Sequence, residues 1–124
     1  MKTAHDLVMQ AKQQINELST VQAEHALRAK PLLLDVREPD EYAAGHLADA
    51  VNVPRGVLEF RIAGLTSDPA TPIVVYCKTS GRAALAAVAL QSLGYREVYS
   101  IAGGYEQWLS DGLPVQPPVI QSFD

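Results

Sequence analysis

The hydrophobic pattern of this 124-residue chain changes period several times along its length. Ala4, Leu7, Val8, Ala11, Ile15 and Leu18 fall on one helical stripe, which predicts an amphipathic helix over residues 3–17. Thr20 is placed to cap a second helix running through Ala29, with Glu24 near its positive end. Pro31 stops helical continuation. Leu32-Leu33-Leu34-Asp35-Val36 is then a short apolar run, the mark of a strand covered on both faces. Glu38 to Ala44 reads as a short helix ending at Gly45, and Ala50-Val51-Asn52-Val53 as a strand closed by Pro54. Val57 to Leu65 reads as a helix.

Ser67 to Pro72 is a loop, followed by the β-branched strand Ile73-Val74-Val75-Tyr76. Arg82 to Leu93 is rich in alanine and apolar almost all round, so it predicts a helix buried against the sheet and ended by Gly94. Glu97 to Ile101 is a strand, Gly103-Gly104 a turn, and Tyr105 to Ser110 a last short helix. The tail, residues 116–124, has no core pattern and reads as a surface strap or a loose end. Strands alternate with helices, which argues a three-layer α/β/α domain with a mostly parallel sheet. The expectation is one domain over residues 1–124, with its core at about 15–115.

Composition narrows the function. Hydrophobic residues make up 48% and charged residues 19%, a globular balance. A formal charge of −4 argues against nucleic-acid binding. No apolar run approaches the roughly 18–20 residues that cross a bilayer, and the N-terminus lacks the unbroken apolar stretch of a secretory signal. The expectation is a cytoplasmic protein without a membrane partner. A single cysteine, Cys77, excludes an internal disulfide and a Cys-rich zinc site. By itself a lone cysteine reads as a small buried hydrophobe.

Its neighbours change that reading. In Tyr76-Cys77-Lys78-Thr79-Ser80-Gly81-Arg82, a core strand ends just before the cysteine and a helix starts just after a short loop. Parallel α/β sheets bind ligands at the carboxyl ends of their strands. Ser80 and Gly81 allow backbone N–H groups to turn inward as an anion-binding nest, and the following helix aims its positive end at the same spot. Between Asp68 and Glu97 there is no acidic residue, while Lys78, Arg82 and Arg96 lie in that interval. Cations and a helix N-terminus favour the thiolate of a cysteine. These features point to a nucleophile, Cys77, and an anion-receptive loop, Lys78, Thr79, Ser80, Gly81 and Arg82. The nucleotide P-loop pattern GxxxxGK[ST] is absent.

The sequence resembles the rhodanese-like domains over about residues 15–115. The resemblance rests on Asp35-Val36-Arg37-Glu38-Pro39-Asp40-Glu41-Tyr42-Ala43-Ala44-Gly45-His46-Leu47 with Ala50, Asn52 and Pro54, on the Cys77–Arg82 loop, and on Ala102-Gly103-Gly104-Tyr105-Glu106-Gln107-Trp108. It implies a five-stranded parallel sheet flanked by helices. It also implies a sulfurtransferase whose cysteine takes sulfane sulfur from a donor such as thiosulfate and passes it to cyanide or a thiol, without metal or organic cofactor. Asp49, where many relatives carry glycine, and Leu47, for isoleucine, are departures. Related phosphatase domains of the Cdc25 type have five residues between cysteine and arginine; here there are four, residues 78–81, as in the sulfurtransferase branch. A phosphatase or arsenate reductase is therefore disfavoured. A persulfide relay to one protein acceptor, and a module that binds a partner protein, stay open as alternatives. So does the choice between monomer and homodimer.

The remaining polar residues carry two readings each. Asp35 and Arg37 end the first core strand, placed to pair with each other, with the loop or with Glu41; they read as a buried ion pair orienting the site wall, ahead of direct catalysis. His46 reads as a structural histidine bonding the loop backbone rather than a base for Cys77. Arg55, Glu59 and Arg61 follow the second strand, where they line the same mouth or form a solvated helix face. Trp108 and Tyr105 read as packing residues.

Overall fold

The computed structural model describes residues 1–116. Helix α1 spans Ala4–Lys12, β1 Asn16–Leu18, α2 Thr20–Leu27, β2 Leu32–Asp35, α3 Pro39–Ala43 and β3 Val51–Asn52. A short 3-10 turn, Arg55–Val57, leads into α4, Leu58–Leu65; β4 is Ile73–Tyr76, α5 Gly81–Leu93, β5 Val98–Ile101 and α6 Gly104–Ser110. The five strands pair in parallel in the order β1-β5-β4-β2-β3, with β4 in the centre.

Strand alternation splits the core into two layers. Leu34, Val36, Ile73, Val75 and Val98 face α4 and α5, where they meet Leu58, Ile62, Ala83, Ala86, Ala87 and Leu90. Leu33, Val74, Tyr76 and Ile101 face the other way, onto Ala23 of α2 and Trp108 of α6. Alanine at 83, 84, 86 and 87, each with no exposed surface, lets α5 lie close to the sheet. Helix α5 ends at Gly94, whose φ of 110° suits glycine.

The predicted helix over 3–17 is corrected. Helix α1 stops at Lys12, and residues 16–18 form the edge strand β1, in register with Tyr99, Ser100 and Ile101 of β5. Ile15 and Leu18 sit on one helical stripe but pack on opposite faces of the sheet, Ile15 in the α5 layer and Leu18 in the α2 layer. Ile15 lies in the bend before β1 and Leu18 in the strand itself, so helical spacing no longer sets where they point. The second helix is capped by Ser19, not Thr20, and ends at Leu27 rather than Ala29. Thr20 is buried and its hydroxyl donates to Asp111. Of the tail, Gln116 pairs antiparallel with His46; residues 117–124 lie outside the described residues.

Candidate active site

The central strand delivers Cys77 to the carboxyl edge of the sheet. The residue is 1% exposed and borders the apolar α5 layer. Its polar contacts are not those of a plain core cysteine. The N–H of Ala83, in the first turn of α5, donates to Sγ at 3.3 Å. The loop carbonyls are held elsewhere: Cys77 O accepts from Tyr105 N at 2.8 Å and Lys78 O from Glu106 N at 3.0 Å. The N-terminus of α6 therefore clamps the back of the loop. The approach is so close that a Cβ on Gly104 would lie 2.3 Å from Thr79 O and 2.5 Å from Cys77 O, and Gly104 sits at φ +58°. With the carbonyls turned to α6, the backbone N–H groups of residues 78–82 donate to no protein acceptor among the described residues. Unpaired amides and the positive end of α5 make this loop receptive to an anion or an electron-rich sulfur.

The basic interval seen in the sequence is offset by carboxylates from distant elements. Arg82 forks onto both oxygens of Glu41 in α3, at 2.7 and 3.0 Å. That hydrogen bonding holds the Glu41 carboxyl down at about 2 and raises the Arg82 guanidinium. Lys78 is 60% exposed and its ammonium lies 3.8 Å from Glu106 in α6. Lys12, at the end of α1, donates to the Ser80 hydroxyl at 2.8 Å.

Behind the loop, Asp35 and Arg37 form a buried bidentate pair, with Nε and Nη2 donating at 2.7–3.1 Å. Arg37 also donates to Gly45 O at 2.7 Å and lies 4.3 Å from the centre of the Tyr105 ring. The Tyr76 hydroxyl donates to Asp35 at 2.7 Å and accepts from Leu47 N at 3.1 Å. Burial, with the Asp35 charge next, pushes the Tyr76 phenol far above its usual range. The Asn52 side chain ties the Asp35 and Arg37 carbonyls. These groups satisfy one another, as buried charges require.

His46 stacks on Tyr42, with centroids 3.7 Å apart, and its Nδ1 lies 2.9 Å from Tyr42 O. It thus bonds α3, not the cysteine loop. Arg55 and Glu59 pair at 2.8 Å. They line a groove with Gln14 of the α1–β1 turn and Leu85 of α5, and residues 77–82 are not among its walls. Arg61 is exposed. Trp108 is buried and donates to Pro114 O. Tyr105 packs against both Arg37 and Tyr76. Sequence reasoning missed Lys12 and Tyr76; the first had no local signal, and the second was read only as a strand residue.

The protein is a parallel α/β domain with a cysteine loop at the carboxyl edge of its central strand. It belongs to the rhodanese-like domain family, whose model matches residues 17–111. It is 37% identical to the thiosulfate sulfurtransferase GlpE of Pseudomonas entomophila, over 68% of this chain and 77% of that one. The solved polysulfide-sulfur transferase homodimer of Wolinella succinogenes is 38% identical, with a TM-score of 0.78 over 90% of this chain and 85% of that one. A structure from Rhodopseudomonas palustris, described as of unknown function and a possible tyrosine phosphatase, is 28% identical, with a TM-score of 0.82 over 94% of this chain and 96% of that one. The relatives support a sulfurtransferase in general. Among the described residues, no helix is long and apolar enough to cross a membrane.

Proposed function

We propose that this protein moves sulfane sulfur from a donor such as thiosulfate to cyanide or a thiol, through a persulfide on Cys77. The observation that carries the reading is the N–H of Ala83 on Sγ beside a row of unpaired amides at residues 78–82. The Cys77 thiolate attacks the outer sulfur of thiosulfate. A bond forms between Sγ and that sulfur, the S–S bond of thiosulfate breaks, and sulfite leaves with the electron pair. The amides of residues 78–82 hold the electron-rich terminal sulfur. Cyanide or an acceptor thiol then attacks it, and the pair returns to Sγ as thiolate. Asp35, Arg37 and Tyr76 brace the wall behind the loop. Arg55, Glu59 and Arg61 stay outside this scheme.

A single thiol that must stay reduced suits the cytoplasm. The acceptor is a small molecule or a protein thiol, and the chain acts as a monomer or homodimer. Incubation with thiosulfate should add one sulfur to the intact mass, and cyanide should remove it. Cys77→Ser should lose both the adduct and the transfer while melting like the native protein. Transfer surviving in that variant would sink the assignment. The possible phosphatase neighbour favours one rival, which a direct comparison decides: hydrolysis of an aryl phosphate faster than consumption of thiosulfate would place the loop in phosphate chemistry.

A further inference from the structure

Among the described residues, three helices begin after a serine or threonine, and one of them is built differently. Thr3 and Ser19 have extended backbones, with ψ of 167° and 164°, and each hydroxyl accepts from the third amide of its helix, Asp6 N or Gln22 N, at 3.1 Å. That is how such residues cap a helix. Ser80 stands at the same place before α5, but its ψ is −14° and its hydroxyl caps nothing. The third amide of α5, Ala83 N, goes to Cys77 Sγ instead. What holds the Ser80 hydroxyl is the ammonium of Lys12, at 2.8 Å.

Two acceptors thus compete for one amide. An N-capping serine oxygen is the ordinary partner of that N–H, and the sulfur receives it only while the serine is held away. We propose that Lys12 is a positioning residue for Cys77: by holding Ser80 out of the capping conformation, it reserves the Ala83 amide for the sulfur. The inference rests on the reading of Cys77 as the sulfur carrier. Lys12 sits on α1, outside residues 17–111 that the family model matches. The placement of α1 supports the inference. Val8, one turn before Lys12, faces Gly81 closely enough that a Cβ there would meet its Cγ2 at 3.4 Å. The other charges around the loop are paired: Arg82 with Glu41, and Lys78 near Glu106.

The test is a double-mutant cycle on the full chain: native, Lys12→Met, Ser80→Ala and the double variant. The readout is the ultraviolet absorbance of the thiolate against pH. Each protein is read against its own Cys77→Ser counterpart, so the tyrosines cancel and the one cysteine is seen alone. Losing a charge-assisted N–H donor should move the midpoint of Lys12→Met up by about half to one pH unit. Lys12→Arg should restore it. In the Ser80→Ala background no competing oxygen exists, so adding Lys12→Met should move the midpoint by less than about a third of that amount. A shift of the same size in both backgrounds would show Lys12 acting only as a charge through space and would overturn the proposal. No shift in either background would overturn it too. The titration needs no sulfur donor, so its failure is distinct from failure of the sulfur-transfer reading, which Cys77→Ser tests by activity.

Discussion

Replacing Gly104 by alanine should damage both the stability and the chemistry of this protein, by amounts the structure lets us work out. At φ +58° an L-residue costs about 1–2 kcal/mol more than glycine. The new methyl would stand 2.3 Å from Thr79 O and 2.5 Å from Cys77 O, both backbone atoms. Relief requires the loop and α6 to part by about 1 Å, since ordinary contact of this kind lies beyond 3.4 Å. Parting them breaks the bonds from Tyr105 N to Cys77 O and from Glu106 N to Lys78 O. Each contributes about 1 kcal/mol. The total is about 3–4 kcal/mol, or roughly 12–15 °C in Tm for a domain of this size. Displacing the nucleophile and its amides by about 1 Å should also lower sulfur transfer by about 10²-fold. Gly112→Ala is the control. Gly112 also has a positive φ, +71°, but a Cβ there meets nothing within 4 Å. It should lose only the backbone contribution, about 5 °C, and keep full activity. Circular-dichroism melts and a thiosulfate:cyanide assay on both variants decide the matter. If Gly104→Ala melted within about 2 °C of Gly112→Ala and kept its activity, the clamp from α6 would not be what shapes the loop.

Other expectations follow from the charges. Glu41 is held at about 2, below its ordinary 4.5, so its pairing with Arg82 stabilises the fold fully above pH 4.5 and is lost as the pH falls toward 2. With both side chains about a third exposed, solvent screening leaves about 1 kcal/mol; melts across that window should flatten in Glu41→Gln, and an unchanged slope would remove the pair from the stability account. Lys78→Ala should change kcat/KM for thiosulfate by less than about twofold, because the ammonium is solvated and lies near Glu106. A loss of tenfold or more would restore Lys78 as the anion-recruiting group.

The layered α/β architecture was legible because period and composition agree. Ile73-Val74-Val75-Tyr76 has no polar position, and the alanine-rich helix after it has no polar face; only a strand and a helix buried on each other fit both. Strand β1 was not legible. It is short, two of its residues are exposed, and its identity comes from pairing with β5 rather than from its own pattern. The place of Cys77 between a strand end and a helix start was legible because strand, small loop and helix are neighbours in the chain. The electrostatics around it were not. The interval between Asp68 and Glu97 is basic in sequence, but Glu41 and Glu106 reach it from α3 and α6. Counting charges along the chain measures the wrong distance when elements pack across one another.

The same distinction explains what the recognisable motifs do. Asp35 and Arg37 neutralise each other, Tyr76 ties Asp35 to the Leu47 amide, Asn52 ties both carbonyls, and Gly45 O receives Arg37. Gly104 lets α6 reach the loop, and Tyr105 packs against both Arg37 and Tyr76. Apart from the loop itself, then, the segments by which the family is recognised form a continuous brace behind it. The brace turns the loop carbonyls away from the side where Sγ meets Ala83 N. A backbone nest contains no side chain that evolution can strengthen directly; its geometry depends on what holds the carbonyls. Substitutions in the brace should therefore act on sulfur transfer through loop position. Contacts that tune the loop from outside the brace are better sought where Lys12 lies, on α1.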